Sequence, residues 1–157
     1  MMEVRRIQAE EWKALRELRL RALEREPLAF CATVDQEERL NQAIWEERAR
    51  MGAESLRSAT VVVAEGSRLH GMIVVKIEET RAEIYAVYLE PELRGRGLAS
   101  RMLRQALEFA AGLPVWLEVN ADLGAAESLY ARCGFRPDGV VRKFPDGRRM
   151  RGWVRPR

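Results

Sequence analysis

The sequence predicts a mixed α/β (α+β) domain with a central sheet of about six to seven strands and helices on both faces. Three observations carry this expectation. β-Branched runs such as Thr60-Val61-Val62-Val63-Ala64 are bounded by turn residues, as strands are. Between them, apolar residues recur at three- and four-residue spacing, the mark of amphipathic helices. The stretch Ala82–Leu89 is almost continuously apolar, as expected for a central strand buried on both faces. The implied order is βααβββαβαββ.

Val4 to Ile7 reads as the first strand. Trp12, Leu15, Leu18, Ala22 and Leu23 then line one face of a helix over Glu10–Glu26 that Pro27 closes. Pro27-Leu28-Ala29-Phe30 is a loop of unusual apolar content. A second, single helix is expected from an N-cap at Asp35 through Leu40, Ile44 and Trp45 to Met51-Gly52. Thr60–Ala64 and Met72–Ile77 form a hairpin across Glu65-Gly66-Ser67, and Ala82–Leu89 follows, ended by Pro91. A helix with Met102, Leu103, Ala106, Leu107 and Ala110 on its buried stripe runs to Gly112 and Pro114. Val115–Val119 is the next strand and Ala125–Cys133 a short helix. Val140–Phe144 and Met150–Val154 make a last hairpin that turns at Asp146-Gly147.

At 157 residues and 18.0 kDa the chain reads as one domain over residues 1–157. A composition of 47% hydrophobic and 32% charged residues excludes a disordered tail, a collagen-like repeat and a low-complexity scaffold. No apolar run approaches the roughly 20 residues a membrane helix needs, and the first residues lack the apolar core of a secretory signal. Two cysteines, Cys31 and Cys133, are too few for a disulfide framework and too far apart for a metal motif. The expected setting is the reducing cytoplasm, with no membrane association and no metal. The net charge of +3 is a mild excess. The basic tail (Arg142, Lys143, Arg148, Arg149, Arg151, Arg155, Arg157) has only Phe144 and Trp153 to stack bases, so a solvated hairpin face is favoured over a nucleic-acid partner. His70, the one histidine, reads as a residue of a strand surface.

Chemistry concentrates at Arg94-Gly95-Arg96-Gly97-Leu98-Ala99-Ser100. Two glycines let the backbone approach a ligand, and the helix they open offers unpaired N–H groups at its positive end. That is an anion site suited to a pyrophosphate, flanked by Arg94 and Arg96. The spacing fits neither the dinucleotide GxGxxG nor the P-loop GxxxxGK[ST].

In its setting this segment resembles the acetyl-CoA motif R/Q-x-x-G-x-G/A of the GCN5-related N-acetyltransferase (GNAT) family. Leu117-Glu118-Val119, Ala126, Leu129-Tyr130 and Gly134-Phe135 are similar to the family's second motif. The resemblance covers the whole chain in element order, and its residues lie between about Ala82 and Phe135. It implies a single GNAT domain with splayed central strands, between which pantetheine inserts. Main-chain groups at Val87, Tyr88 and Leu89 would bind pantetheine and polarise the thioester, while Gly95 to Ser100 would hold the pyrophosphate. It also implies direct attack of a primary amine on acetyl-CoA, with Tyr130 as the acid for the departing thiolate. The base would be Glu83 or Glu118, with a slight preference for Glu83; for each, an ordinary ion pair with an arginine is the competing reading. The acceptor site would be shaped by the Leu28–Thr33 loop, Trp45 and the turn around Asp146. Its amine (small molecule, amino acid or protein N-terminus) is left open.

The chain departs from the family where Leu123 replaces the usual asparagine; Asn120 lies nearby but out of register. That departure supports an alternative reading as a non-catalytic acyl-CoA-binding module. Cys133 reads as core packing and Cys31 as a buried loop residue. Strand edges after the last hairpin would admit a homodimer.

Overall fold

The computed structural model describes residues 1–122 and 124–157, with Ala125 by its main chain alone. Leu123, the departure noted above, lies outside the described residues. The strands are β1 (Glu3–Arg6), β2 (Ser58–Glu65), β3 (Arg68–Ile77), β4 (Ala82–Leu89), β5 (Val115–Asn120), β6 (Arg136–Lys143) and β7 (Arg149–Arg155). They form one seven-stranded sheet in the order β1-β2-β3-β4-β5-β7-β6. Neighbours are antiparallel except β4 and β5, which run parallel. The helices are α1 (Trp12–Arg25), α2 (Val34–Glu38), α3 (Gln42–Glu54), α4 (Leu98–Phe109) and α5 (Ala125–Arg132). Among the described residues no helix is long and apolar enough to cross a membrane.

Alternation along β2 divides the core. Val61 and Val63 face α4 together with Ile73, Val75, Ala82, Ile84, Val115, Leu117 and Tyr130. Val62 and Ala64 face α1 together with Leu15, Leu18, Leu23, Met72 and Tyr88. Both faces of β2 are covered, which is why its sequence is an unbroken apolar run.

Four local expectations are corrected. The single helix expected from Asp35 is two helices. Thr33, not Asp35, caps α2 through a reciprocal pair with Gln36, and Asn41 Oδ1 accepts from Ile44 N at 3.2 Å to open α3. The first helix begins at Trp12, preceded by a 3-10 turn over Ala9–Glu11. His70 is buried, not on a strand surface: it is the extra residue where β3 bulges against Val63-Ala64, and its Nδ1 lies 2.7 Å from Glu90 Oε2. Finally, β4 is not covered along its length, since Tyr85 is 45% exposed and Ala86 and Val87 are half-buried.

The last correction has a backbone cause. Met72 pairs with Tyr88 and Val74 with Tyr85, so Ala86 and Val87 together oppose Ile73 alone. Ala86 takes φ +54°, and the bulge reverses the strand's inside–outside phase. Ala82 and Ile84 therefore face α4, whereas Tyr88, of the same parity, faces α1.

At the far edge, β6 exposes Val140 and Val141 between Arg136 and Lys143. On the α3 side, Gly52 lies so close to β2 that a Cβ there would stand 2.7 Å from Thr60 Cβ. Gly52→Ala would gain helix propensity but force α3 off the sheet. We expect a net loss of about 1–3 kcal/mol in urea unfolding, whereas Gly124→Ala, with open space around it, should stay within about 0.5 kcal/mol.

Candidate active site

The opening in the sheet comes from a short ladder. β4 and β5 pair only at Ala82↔Val115 and Glu83↔Trp116. Beyond that point β4 follows β3 to Leu89 while β5 follows β7 to Asn120. The side of β4 that faces β5 thus has no strand partner past Glu83. Tyr88 and Leu89 bury their side chains on opposite faces of the sheet, and Val87 sits half-buried beside the bulge. The expected pantetheine-binding residues Val87, Tyr88 and Leu89 therefore all lie on the unpaired stretch.

The glycine loop stands at the end of the same strand. Gly95 and Gly97 take φ +83° and +79°, and Gly97 is the left-handed N-cap of α4, with no side chain capping the helix. The amides of the first turn, from Leu98 to Ser100, are thus left for a ligand. Leu98 is buried and Ala99 packs against the same core, which fixes the direction of the helix. Arg96 is exposed and makes no ion pair among the described residues. Arg94, also exposed, is engaged within the chain instead: its Nε donates to Leu89 O at 3.0 Å and its other arm grips Glu26 just past α1.

Glu83 and Glu118 lie on the α1 face of adjacent strands, opposite the side buried against α4. Their environments differ. Burial pushes the Glu83 carboxyl above the usual carboxylate range, and the nearby Glu78 and Glu118 charges push it further, with Arg81 opposing. Glu118 is held from two sides of one guanidinium: Arg142 Nε donates to Oε2 at 2.6 Å while Nη2 meets Oε1. Tyr130 sits apart, on the α4 face, buried with its ring 5.7 Å from that of Phe135. Burial raises its phenol well above the usual value, so the proton is retained at neutral pH.

A short segment closes the α1 side of the opening. Pro27–Ala29 forms a 3-10 turn that packs against the end of β5. Asn120 Nδ2 donates to Leu28 O at 2.9 Å, and Arg148 from the β6–β7 turn donates to Phe30 O. The Phe30 ring lies 6.4 Å from that of Tyr88 on β4. Cys31 is exposed beside it, not buried as expected, whereas Cys133 packs half-buried against the core. Ala86, Asn120, Arg142 and Arg148 are the site residues that sequence reasoning did not assign. Only Asn120, a polar residue closing an apolar strand, carries a visible signal.

The sequence matches the Acetyltransferase (GNAT) family over residues 11–135. The chain is 40% identical over 62 residues to the N-alpha-acetyltransferase RimI of Mycobacterium tuberculosis, a match covering 40% of this chain and 39% of that protein. It is 24% identical over 111 residues to the ribosomal protein bS18-alanine N-acetyltransferase of Salmonella typhimurium, covering 69% of this chain and 75% of that one. Its fold is similar to the crystal structure of a GNAT-family acetyltransferase from Streptococcus pneumoniae, with a TM-score of 0.82, 18% identity and 98% of each chain covered. The chain belongs to the GNAT acetyltransferase family.

Proposed function

We propose that this protein is an acetyl-CoA-dependent N-acetyltransferase acting on a primary amine, and that the amine is the α-amine of a protein N-terminus. The observation that carries the reading is the parting of β4 from β5 between a helix opened by Gly97 and a carboxyl at Glu83 raised by burial and by nearby carboxylates. The choice of acceptor follows the two relatives, which are N-alpha- and alanine N-acetyltransferases by name. Acetyl-CoA as co-substrate and two free thiols fit the cytoplasm. A homodimer would form through the free edge of β6.

In the reaction, Glu83 takes a proton from the acceptor ammonium, and the neutral amine nitrogen attacks the thioester carbonyl carbon. The N–C bond forms as the C–S bond breaks, and Tyr130 gives its phenolic proton to the departing thiolate. A main-chain N–H on the unpaired stretch of β4 steadies the oxyanion. Glu118 is held by Arg142 through both oxygens, so it serves as a fixed partner of the hairpin and not as the base. A non-catalytic acyl-CoA module would need neither Glu83 nor Tyr130.

Calorimetric titration should give micromolar binding of acetyl-CoA and weaker binding of dephospho-CoA. Thiol release with peptide amines should fall about 10²–10⁴-fold in kcat for Glu83→Gln or Tyr130→Phe, and far less for Glu118→Gln. Full turnover by Tyr130→Phe would remove the assigned acid.

A base acts only when deprotonated, so kcat/KM should fall as pH drops through the raised Glu83 value. The acid limb should therefore lie above the usual carboxylate range and vanish in Glu83→Gln. The same shift has a stability sign. A carboxyl raised by folding disfavours the native state once pH exceeds its unfolded value, so Glu83→Gln should unfold at a higher temperature at pH 7 while losing activity.

A further inference from the structure

We propose that His70, Arg21 and Glu90 are positioning residues that hold the chain between β4 and the glycine loop, and so set affinity for the coenzyme's pyrophosphate. This inference rests on the coenzyme-binding reading of Gly95–Ser100 given above. The loop does not hold itself. Gly95 and Gly97 both take positive φ, and a Cβ added at either would meet nothing within 4 Å. Glycine also loses more freedom on ordering than any other residue. Amides therefore bind an anion tightly only if their directions are fixed beforehand. On one side Leu98 does this, buried in the core at the start of α4. On the other side the task falls to residues 90–94, which connect β4 to the loop.

Alternate residues of this connector meet the end of α1. Glu90 Oε1 accepts from Arg21 Nε at 3.1 Å, both arms of Arg25 meet Glu92, and Arg94 grips Glu26. The three contacts differ in worth. Arg25 and Glu92 have 42% and 60% of their side chains exposed, and solvated pairs contribute little. Glu90 is buried, and so is its second partner, His70. His70 Nδ1 lies 2.7 Å from Glu90 Oε2, and Glu90 N donates to His70 O at 3.0 Å. Arg68 approaches the same carboxylate at 3.6 Å. Burial pushes the Glu90 carboxyl up, but His70 and Arg21 outweigh it and hold it below the usual carboxylate range. An ionised carboxylate only accepts, so His70 Nδ1 is the donor. Arg21 Nη2 also donates to Leu69 O at 2.8 Å, next to the bulge. The β3 bulge thus has a use: it turns an imidazole inward onto the first residue of the connector. Order then passes along the chain, because Leu93 N donates to Glu90 O at 2.9 Å and Leu93 is itself buried. None of the three residues lies on the unpaired stretch of β4 or on β5.

The test uses His70→Leu, which deletes the donor, His70→Asn, whose amide restores one near Nδ1, and Glu90→Gln. Glu37→Gln is the control, since it also disturbs a buried carboxylate shared by two arginines but lies on α2. Hydrogen exchange read by mass spectrometry on the free protein should be at least tenfold faster over residues 90–100 in His70→Leu and Glu90→Gln, and unchanged in Glu37→Gln. Calorimetric Kd for acetyl-CoA should rise tenfold or more in the first two, and stay within threefold in His70→Asn and Glu37→Gln. With a peptide amine, KM for acetyl-CoA should rise in step while kcat stays within threefold. Turnover of acetyl-pantetheine, which carries the thioester without the pyrophosphate, should stay within twofold. Arg21→Ala serves if the buried variants do not fold, because its side chain is 27% exposed and Glu90 keeps His70. At about 0.3 M salt, where the lost charge is screened, its Kd for acetyl-CoA should rise threefold or more. Unchanged exchange over 90–100, or unchanged affinity despite faster exchange, overturns the proposal. An equal loss in Glu37→Gln or with acetyl-pantetheine overturns it too, since that marks general damage. A wild-type protein that binds no acetyl-CoA refutes the coenzyme reading and the inference together, whereas binding by the wild type with unmoved variants refutes the inference alone.

Discussion

Among the described residues two pairs hold β4 to β5, and the opening in the sheet follows from so short a ladder. A parallel ladder that ends after Glu83 and Trp116 leaves the β5-facing side of β4 without a strand partner among the described residues. Buried backbone polar groups must find a partner, so the opening is disfavoured unless a ligand or water fills it. The cores on the two faces hold it open. β4 is locked to β3 along its length and β5 to β7, so neither can swing back to close the gap. The bulge at Ala86 serves the same end, since by reversing the phase of β4 it buries Tyr88 against α1 and leaves Tyr85 uncovered.

Electrostatics separates two carboxylates that geometry places on one face. Glu118 has a guanidinium within hydrogen-bond reach and Glu83 has other carboxylates. The same residue type thereby meets two environments, one inside an arginine pair and the other beside like charges. Elsewhere the arginine-rich surface is largely self-neutralised. Arg19 and Arg48 share Glu37, Arg21 and Arg68 share Glu90, and Arg25 meets Glu92.

The periodic elements were legible in the sequence because burial writes itself into spacing: β2 and α4 keep their expected cores, and the glycine loop has the backbone its two glycines imply. What escaped were features decided by tertiary partners. Nothing local distinguishes Thr33 from Asp35 as a cap until Gln36 reaches back, and nothing about His70 signals the bulge that turns it inward. Ala86 is an unremarked small residue in an apolar run, yet it holds the left-handed geometry that reshapes the strand. The different surroundings of Glu83 and Glu118 come from Arg142, a residue 24 positions beyond Glu118 that reads as a solvated tail charge.

Both side chains that tie down the Pro27–Phe30 segment grip carbonyl oxygens, Leu28 O and Phe30 O. Every amino acid carries that group. These two hydrogen bonds therefore do not depend on the side chains of exposed Leu28 and Cys31, whereas buried Phe30 is also held by its ring. Main-chain attachment and the exposed side-chain surface are thus carried by different atoms of the same short stretch, so its outward side chains can vary on a backbone held by Asn120 and Arg148.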